Sequence, residues 1–287
     1  MIPRVSFEFF PPQTLDASFR LWETVHVLAP LRPGFVSVTY GAGGTTRKLT
    51  HDAVAAIGRN TGLNVAAHLT CVDATRAETL EIAEAYAEAG VTEIVALRGD
   101  APKGADRFVA HPEGFASSVD LVAALAATGR FKIRVGAYPE KHPDAADDHA
   151  DVTWLKRKLD AGATSAITQF FFEAETFLRF RDACAKAGIT APIIPGILPI
   201  QSWEGAKRFA ARCGAHVPVR LDEAFHLAAR DGRAELLALT QCTTLCTRLI
   251  EEGVQDLHFY TLNRPDLTRE VCHALGVTAP QALQQVA

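Results

Sequence analysis

An α/β chain folded as a (β/α)8 TIM barrel, with extra helices before its last strand, is what the sequence predicts. Three observations carry that expectation. Eight apolar runs recur along the 287 residues, and an Ala-rich amphipathic segment separates most of them. The starts of successive runs lie about thirty residues apart, the length of one strand, one helix and their loops. No dinucleotide Gly fingerprint follows the first run, which argues for a closed barrel of eight repeats over an open, doubly wound sheet.

The runs are 5–10, 35–40, 64–71, 93–99, 132–138, 165–172, 193–200 and 256–262. In the first, Val5-Ser6-Phe7-Glu8-Phe9-Phe10 has the aromatic and branched residues that suit a packed pleated surface, and Pro11 and Pro12 forbid its continuation. Between the runs, segments 17–28, 46–59, 76–89, 114–127, 148–159, 173–187 and 203–212 carry apolar residues at helical spacing. Several end on glycine, at Gly62, Gly90, Gly129, Gly162 and Gly188, the residue that accepts a helix-terminating backbone. The last interval is roughly twice the others and accommodates two more helices, at 221–229 and 234–252. With no linker and no low-complexity tract, residues 1–287 read as one catalytic barrel domain without a C-terminal regulatory domain.

Composition narrows the function. The 29 basic and 33 acidic residues leave a net charge of -4, which offers no basic surface to nucleic acid or an anionic membrane. No apolar run is long enough to span a bilayer, and Met1-Ile2-Pro3-Arg4 leads straight into a strand rather than a signal peptide. A cytoplasmic protein with a small-molecule partner is expected. The six cysteines (Cys71, Cys184, Cys213, Cys242, Cys246 and Cys272) form no CxxC pair and read as buried free thiols. Cys242 and Cys246 share a helix face, but no second ligand pair accompanies them for zinc.

A barrel builds its site at the C-terminal ends of its strands. The polar residues there are Glu8, Thr39 with Tyr40, His68, Arg98 with Asp100, Tyr138 with Glu140, Gln169, and Asn263 with Arg264, a concentration that predicts a ligand-binding mouth. Glu8, set among phenylalanines, is expected to hold its proton more tightly than usual, as a general acid near neutral pH must; pairing with a nearby Arg or Lys is the alternative. The run Gly41-Ala42-Gly43-Gly44-Thr45-Thr46 before a helix has backbone N–H groups that suit a phosphate, though it is no P-loop and reads equally as a capped turn. On spacing alone, Lys156-Arg157-Lys158 is a solvated helix face rather than a diphosphate site. His142, Asp144, Asp147, Asp148, His149 and Asp151 cluster on one loop, but nothing fixes a ligand geometry, so no metal is expected; Asp148 or His149 also suits a helix cap.

Together these segments resemble the bacterial flavoprotein methylenetetrahydrofolate reductases. The resemblance rests on SFEFFPP at 6–12, FVSVTYGAGG at 35–44, HLTC at 68–71, VALRGD at 95–100, AYPEKHP at 137–143, LKRKLDAGA at 155–163, AITQFFF at 166–172, IIPGILPI at 193–200 and FYTLNR at 259–264, in family order over essentially the whole chain. It implies a barrel carrying FAD. A reduced nicotinamide, NADH or NADPH, gives hydride to the flavin and leaves; methylenetetrahydrofolate then takes the hydride and becomes methyltetrahydrofolate. Homo-oligomeric assembly is implied as well.

Residue by residue, the resemblance makes Glu8 the general acid that protonates the leaving folate nitrogen, and Asp100 the charge that favours the resulting iminium. Gln169, Phe209, Arg264, Thr39 and Asp100 would meet the substrates. FAD would be held by Thr39, Tyr40, Ala42, His68, Arg98, Gly99, Asp100, Tyr138, His142, Asp151, Arg157 and Lys158. The chain departs from the pattern at Gly205, where relatives have a Gln that touches substrate, at Trp154, where an Asn can stand, and in the loop 102–115. Two alternatives share the site: an enzyme that runs chiefly as a methyltetrahydrofolate oxidase, and a non-catalytic flavin- or folate-binding barrel.

Overall fold

The protein is described from a computed structural model covering residues 1–40, 46–100, 108–142, 145, 147 and 149–279. Strand and helix alternate along the chain: β1 (Arg4–Phe9), α1 (Leu15–Leu28), β2 (Phe35–Val38), α2 (Arg47–Thr61), β3 (Val65–Thr70), α3 (Arg76–Glu88), β4 (Glu93–Leu97), α4 (Ser118–Ala127), β5 (Lys132–Ala137), α5 (Ala150–Asp160), β6 (Ser165–Thr168) and α6 (Ala174–Lys186). Then come β7 (Ile193–Ile194), β8 (Gly196–Ile197), α7 (Trp203–Cys213), α8 (Val219–Arg230), α9 (Ala234–Glu251), β9 (Asp256–Tyr260) and α10 (Pro265–Ala274).

The strands lie in the order β7-β6-β5-β4-β3-β2-β1-β9-β8, with every pairing parallel. Its two ends, β7 and β8, are halves of one segment, so the sheet wraps into a nearly closed barrel. The single strand expected over 193–200 is therefore two, because Pro195 has no N–H to give to a ladder. Its carbonyl still serves the ring, accepting the His258 N–H at 3.0 Å. Tyr260 braces the same seam, donating its hydroxyl to the Thr168 carbonyl at 2.6 Å. Only glycine fits beneath it: a Cβ on Gly196 would lie 2.1 Å from the Thr168 carbonyl oxygen and 2.6 Å from the Tyr260 ring.

Local chemistry explains the helix ends. Thr75 and Glu78 form a reciprocal capping box at the start of α3. Helix α4 begins at Ser118 rather than near 114, because the Ser117 hydroxyl accepts the Asp120 N–H. At α5 the cap comes from Asp147, whose carboxylate accepts the N–H groups of His149 and Ala150 at 2.8 and 2.9 Å; His149 makes no side-chain cap, and Asp148 lies outside the described residues. Helix α10 was not expected from the sequence; Pro265 opens it at a position where no N–H is needed.

Alternation along each strand sorts the core into two layers. Phe7 and Phe9 point outward and are buried with Leu21, Val25 and Leu28 of α1, each such burial contributing about 1.5–3 kcal/mol. Inside the ring, Phe35, Ala66, Val95, Ile167 and Ile194 form a separate apolar layer. The Arg134 guanidinium lies beside it, 3.8 Å from the Phe35 ring centroid, bonded to Glu93 at 2.6 and 2.7 Å and to Ser165 at 3.0 Å. A third cluster sits over the mouth, where Phe170 and Phe172 meet Trp203 of α7 and Phe225 of α8.

Candidate active site

The same alternation that turns Phe7 and Phe9 outward turns Ser6 and Glu8 into the barrel. Glu8 is in register with Ser37 of β2 and Tyr260 of β9. Its walls are not the phenylalanines next to it in sequence, as expected, but two imidazoles: Oε2 lies 3.4 Å from Nε2 of His68 and 3.8 Å from Nε2 of His258, and the carboxylate side chain is 15% exposed. Neither contact has hydrogen-bond geometry, and both Nε2 atoms are without a hydrogen-bond partner among the described residues. Burial lowers the pKa of His68 below the ordinary value, overriding the opposite pull of Glu8, and His258 adds to the lowering. A neutral His68 does not lock the carboxyl in an ion pair. On its far side, His258 Nδ1 is 2.8 Å from the Ser6 hydroxyl. Burial, with the Glu8 charge second, keeps the Tyr260 phenol protonated.

Next to this acid lies a cleft of about 360 Å³ across the ends of β3, β4 and β5. Of the residues expected to bind a cofactor, Tyr40, Arg98, Gly99, Asp100, Tyr138, His142, Asp151 and Lys158 all line it. The Lys158 ammonium is almost wholly buried and donates to the Gly136 carbonyl. Burial pulls its pKa down to about 8 against the opposing charge of Asp151. Asp151 accepts the His142 N–H at 3.0 Å, and its own pKa is raised, chiefly by burial. The Tyr138 ring meets His142 edge-on at 4.4 Å, and burial, with the Asp100 charge second, pushes its phenol up to about 12. In the same cleft, Thr70 Oγ1 is buried and without a hydrogen-bond partner among the described residues, while burial raises the pKa of the Tyr40 phenol against the opposing pull of the Arg47 guanidinium.

Other expected residues lie elsewhere. His68 belongs to the acid's surroundings rather than to the cleft. Arg157 does not line the cleft; its guanidinium lies 4.5 Å from the centroid of Trp154, which does. Thr39 is held beside β1 by its N–H to the Phe9 carbonyl at 2.9 Å. Gln169 turns its amide oxygen to the Phe170 N–H at 3.0 Å, and the Phe209 ring packs 5.0 Å from Phe170 over the mouth. Arg264 is exposed at the start of α10. Ala42 and the rest of 41–45 lie outside the described residues, as do Asp144 and Asp148 of the acidic loop. Among the described residues no group of three His, Cys, Asp or Glu gathers in a metal-holding arrangement. None of their helices is long and apolar enough to cross a membrane.

Reading only the strand tips missed His258, Tyr260, Ser6 and Thr70. Steps of two along a strand reach Ser6 back from Glu8 and Thr70 on from His68, and the register of β1 with β9 then brings in His258 and Tyr260.

Fold and site together define a (β/α)8 barrel of the enzyme type, with an acidic group inside its mouth and a polar cleft beside it. The profile of the family described as Methylenetetrahydrofolate reductase matches residues 2–276. The 5,10-methylenetetrahydrofolate reductases of Salmonella typhimurium and Escherichia coli are each 47% identical over 274 residues, covering 95% of this chain and 90% of theirs. The chain belongs to the methylenetetrahydrofolate reductase family. Among solved structures, a Clostridium thermocellum protein described as binding two copies of 5-methyl-5,6,7,8-tetrahydrofolic acid shares the fold, with a TM-score of 0.62, 12% identity, and coverage of 96% of this chain and 95% of that one.

Proposed function

We propose that this chain reduces 5,10-methylenetetrahydrofolate to 5-methyltetrahydrofolate in a ping-pong cycle, with FAD in the cleft and NADH or NADPH as hydride source. The observation that carries the reading is the Glu8 carboxyl inside the mouth, paired with no Arg or Lys among the described residues, beside a cleft that presents the unpartnered Thr70 hydroxyl and a buried ammonium.

The residues fit a flavin dinucleotide. Lys158 supplies positive charge for a diphosphate, and the Thr70 hydroxyl supplies a hydrogen bond that no described residue uses. Gly99 and Gly136 keep the wall low; a Cβ on Gly99 would meet Val72 at 2.6 Å, and one on Gly136 would meet Leu97 at 3.3 Å. FAD, when bound, accepts hydride from the nicotinamide and passes it to the one-carbon bridge of the folate.

The chain's own residues do the proton chemistry. Glu8 donates its proton to the bridging nitrogen of the folate, which opens the five-membered ring and leaves an iminium carbon ready for hydride. His68, held neutral by burial, does not draw that carboxyl into an ion pair. Asp100, on the cleft rim, places negative charge where the cationic iminium develops. Phe209, backed by the buried Phe170, gives the flat pterin or nicotinamide an aromatic surface at the mouth, and Gln169 gives it an amide.

Anaerobic stopped-flow tests the reading. The purified protein is expected to be yellow, to bleach with a reduced nicotinamide, and to recover its colour with methylenetetrahydrofolate. A protein that retains no flavin, or a bleached one that the folate never recolours, would overturn it.

A further inference from the structure

The strand that carries Glu8 ends abruptly. After Phe10 come Pro11 and Pro12, which have no N–H, so the Phe10 N–H is the last backbone donor available to hold that end. The Phe10 side chain is 42% exposed, so packing does not hold it either. The turn after β9 does. Thr261 donates its hydroxyl to the Glu8 carbonyl at 2.6 Å and accepts the Asn263 N–H at 3.2 Å. The Asn263 side chain then grips Phe10 at two points: its oxygen accepts the Phe10 N–H at 2.9 Å, and its amide donates to the Phe10 carbonyl at 3.0 Å.

This grip needs an unusual backbone. Leu262 and Asn263 both adopt left-handed φ values, 51° and 52°, which L-residues other than glycine avoid and which isolated turns rarely sustain in succession. Leu262 also packs against the aromatic cluster over the mouth. The strained turn therefore joins the backbone of the acid to the aromatic surface that would cover the substrate.

We infer that Asn263 is a positioning residue for the Glu8 acid, holding the end of β1 so that the carboxyl meets the folate nitrogen in register. It touches neither substrate nor cofactor; it acts through the Phe10 backbone. The inference rests on the reductase reading above. In that cycle only the folate step needs the acid, so a loosened Glu8 slows flavin reoxidation by folate and leaves flavin reduction by nicotinamide alone.

Two variants test it. Asn263→Gly accepts the left-handed backbone but loses both bonds to Phe10. Asn263→Asp keeps the acceptor for the Phe10 N–H and sets an oxygen against the Phe10 carbonyl. Expected are a folate step slowed by about 10²-fold in Asn263→Gly, the loss that follows a displacement of about 1 Å, an intermediate loss in Asn263→Asp, a nicotinamide step within about two-fold of wild type, and faster hydrogen exchange at the Phe10 amide. An unchanged folate step, or parallel losses in both steps in either variant, overturns the positioning role. A wild-type protein that never reoxidises with folate overturns the reductase reading instead, so the two failures are told apart.

Discussion

Burial makes the Lys158 charge costly to the folded protein, and Lys158→Met measures that cost. Burial lowers its pKa from 10.5 to about 8, and each unit is worth about 1.4 kcal/mol, so keeping the buried ammonium charged costs about 3 kcal/mol at neutral pH. The folded pKa lies below the unfolded one. Between those values the unfolded chain binds the proton more tightly, so this group's penalty is full below about pH 8 and disappears as pH rises to about 10.5. Methionine removes the charge, but the Gly136 carbonyl loses a charge-assisted donor worth about 1–2 kcal/mol. The net expectation is a flavin-free Lys158→Met protein about 1–2 kcal/mol more stable than wild type at pH 7. Urea unfolding of both proteins, stripped of flavin, from pH 7 to 10.5 reads it directly, since other titrating groups cancel in the difference. The advantage of the variant should shrink with rising pH and change sign near the top of the range, where only the lost hydrogen bond remains. The variant should also retain flavin poorly, because a diphosphate would lose the buried ammonium of the cleft. A variant less stable than wild type at pH 7, or a difference that stays flat with pH, refutes the reasoning.

Two further outcomes follow from the same geometry. Glu8→Gln keeps the size of the side chain and removes its ability to give a proton; the folate step should fall by about 10²–10⁴-fold while nicotinamide bleaches the flavin at nearly the wild-type rate, and equal damage to both steps would refute the acid role. Gly196→Ala sets a Cβ 2.1 Å from the Thr168 carbonyl oxygen and against the Tyr260 ring; a loss of about 3 kcal/mol in unfolding free energy is expected, and a protein of wild-type stability would show that the seam yields where it is described as tight.

The repeating strand and helix were legible because punctuation is local. The glycines at 62 and 90 end helices with φ of 67° and 85°, a conformation that can be read from one residue and its neighbours. Pro195 was equally local, and the split of the seventh strand could have been read from it. The surroundings of Glu8 were not legible. Adjacent phenylalanines suggested an apolar wall, yet adjacency in a strand means opposite faces. The true neighbours come from distant strands: His258 through the register of β1 with β9, and His68 from β3, which pairs with β2 beside β1. In the cleft, the resemblance rather than the spacing marked Lys158; spacing alone could not tell it from Arg157, which sits one residue away and stacks outside on Trp154.

The barrel interior treats its ionisable groups in two opposite ways, and the contrast separates scaffold from site. Beside its apolar layer, Glu93 and Arg134 are each other's partners, and Asn64, Ser165 and the Phe35 ring occupy what remains of their bonding capacity. A buried pair so completed keeps the charges tolerable, and losing one partner would strand the other at a cost of about 3–5 kcal/mol. At the level of Glu8 the polar atoms are left incomplete: the two imidazole Nε2 atoms, the Ser37 hydroxyl and, in the cleft, that of Thr70 have no hydrogen-bond partner among the described residues. Folding gains nothing from unpaired buried donors. Their grouping around Glu8, on strands β2, β3 and β9, is what a site looks like when the missing partners arrive with a ligand, and the fully paired charges further in are what allow the scaffold to tolerate it.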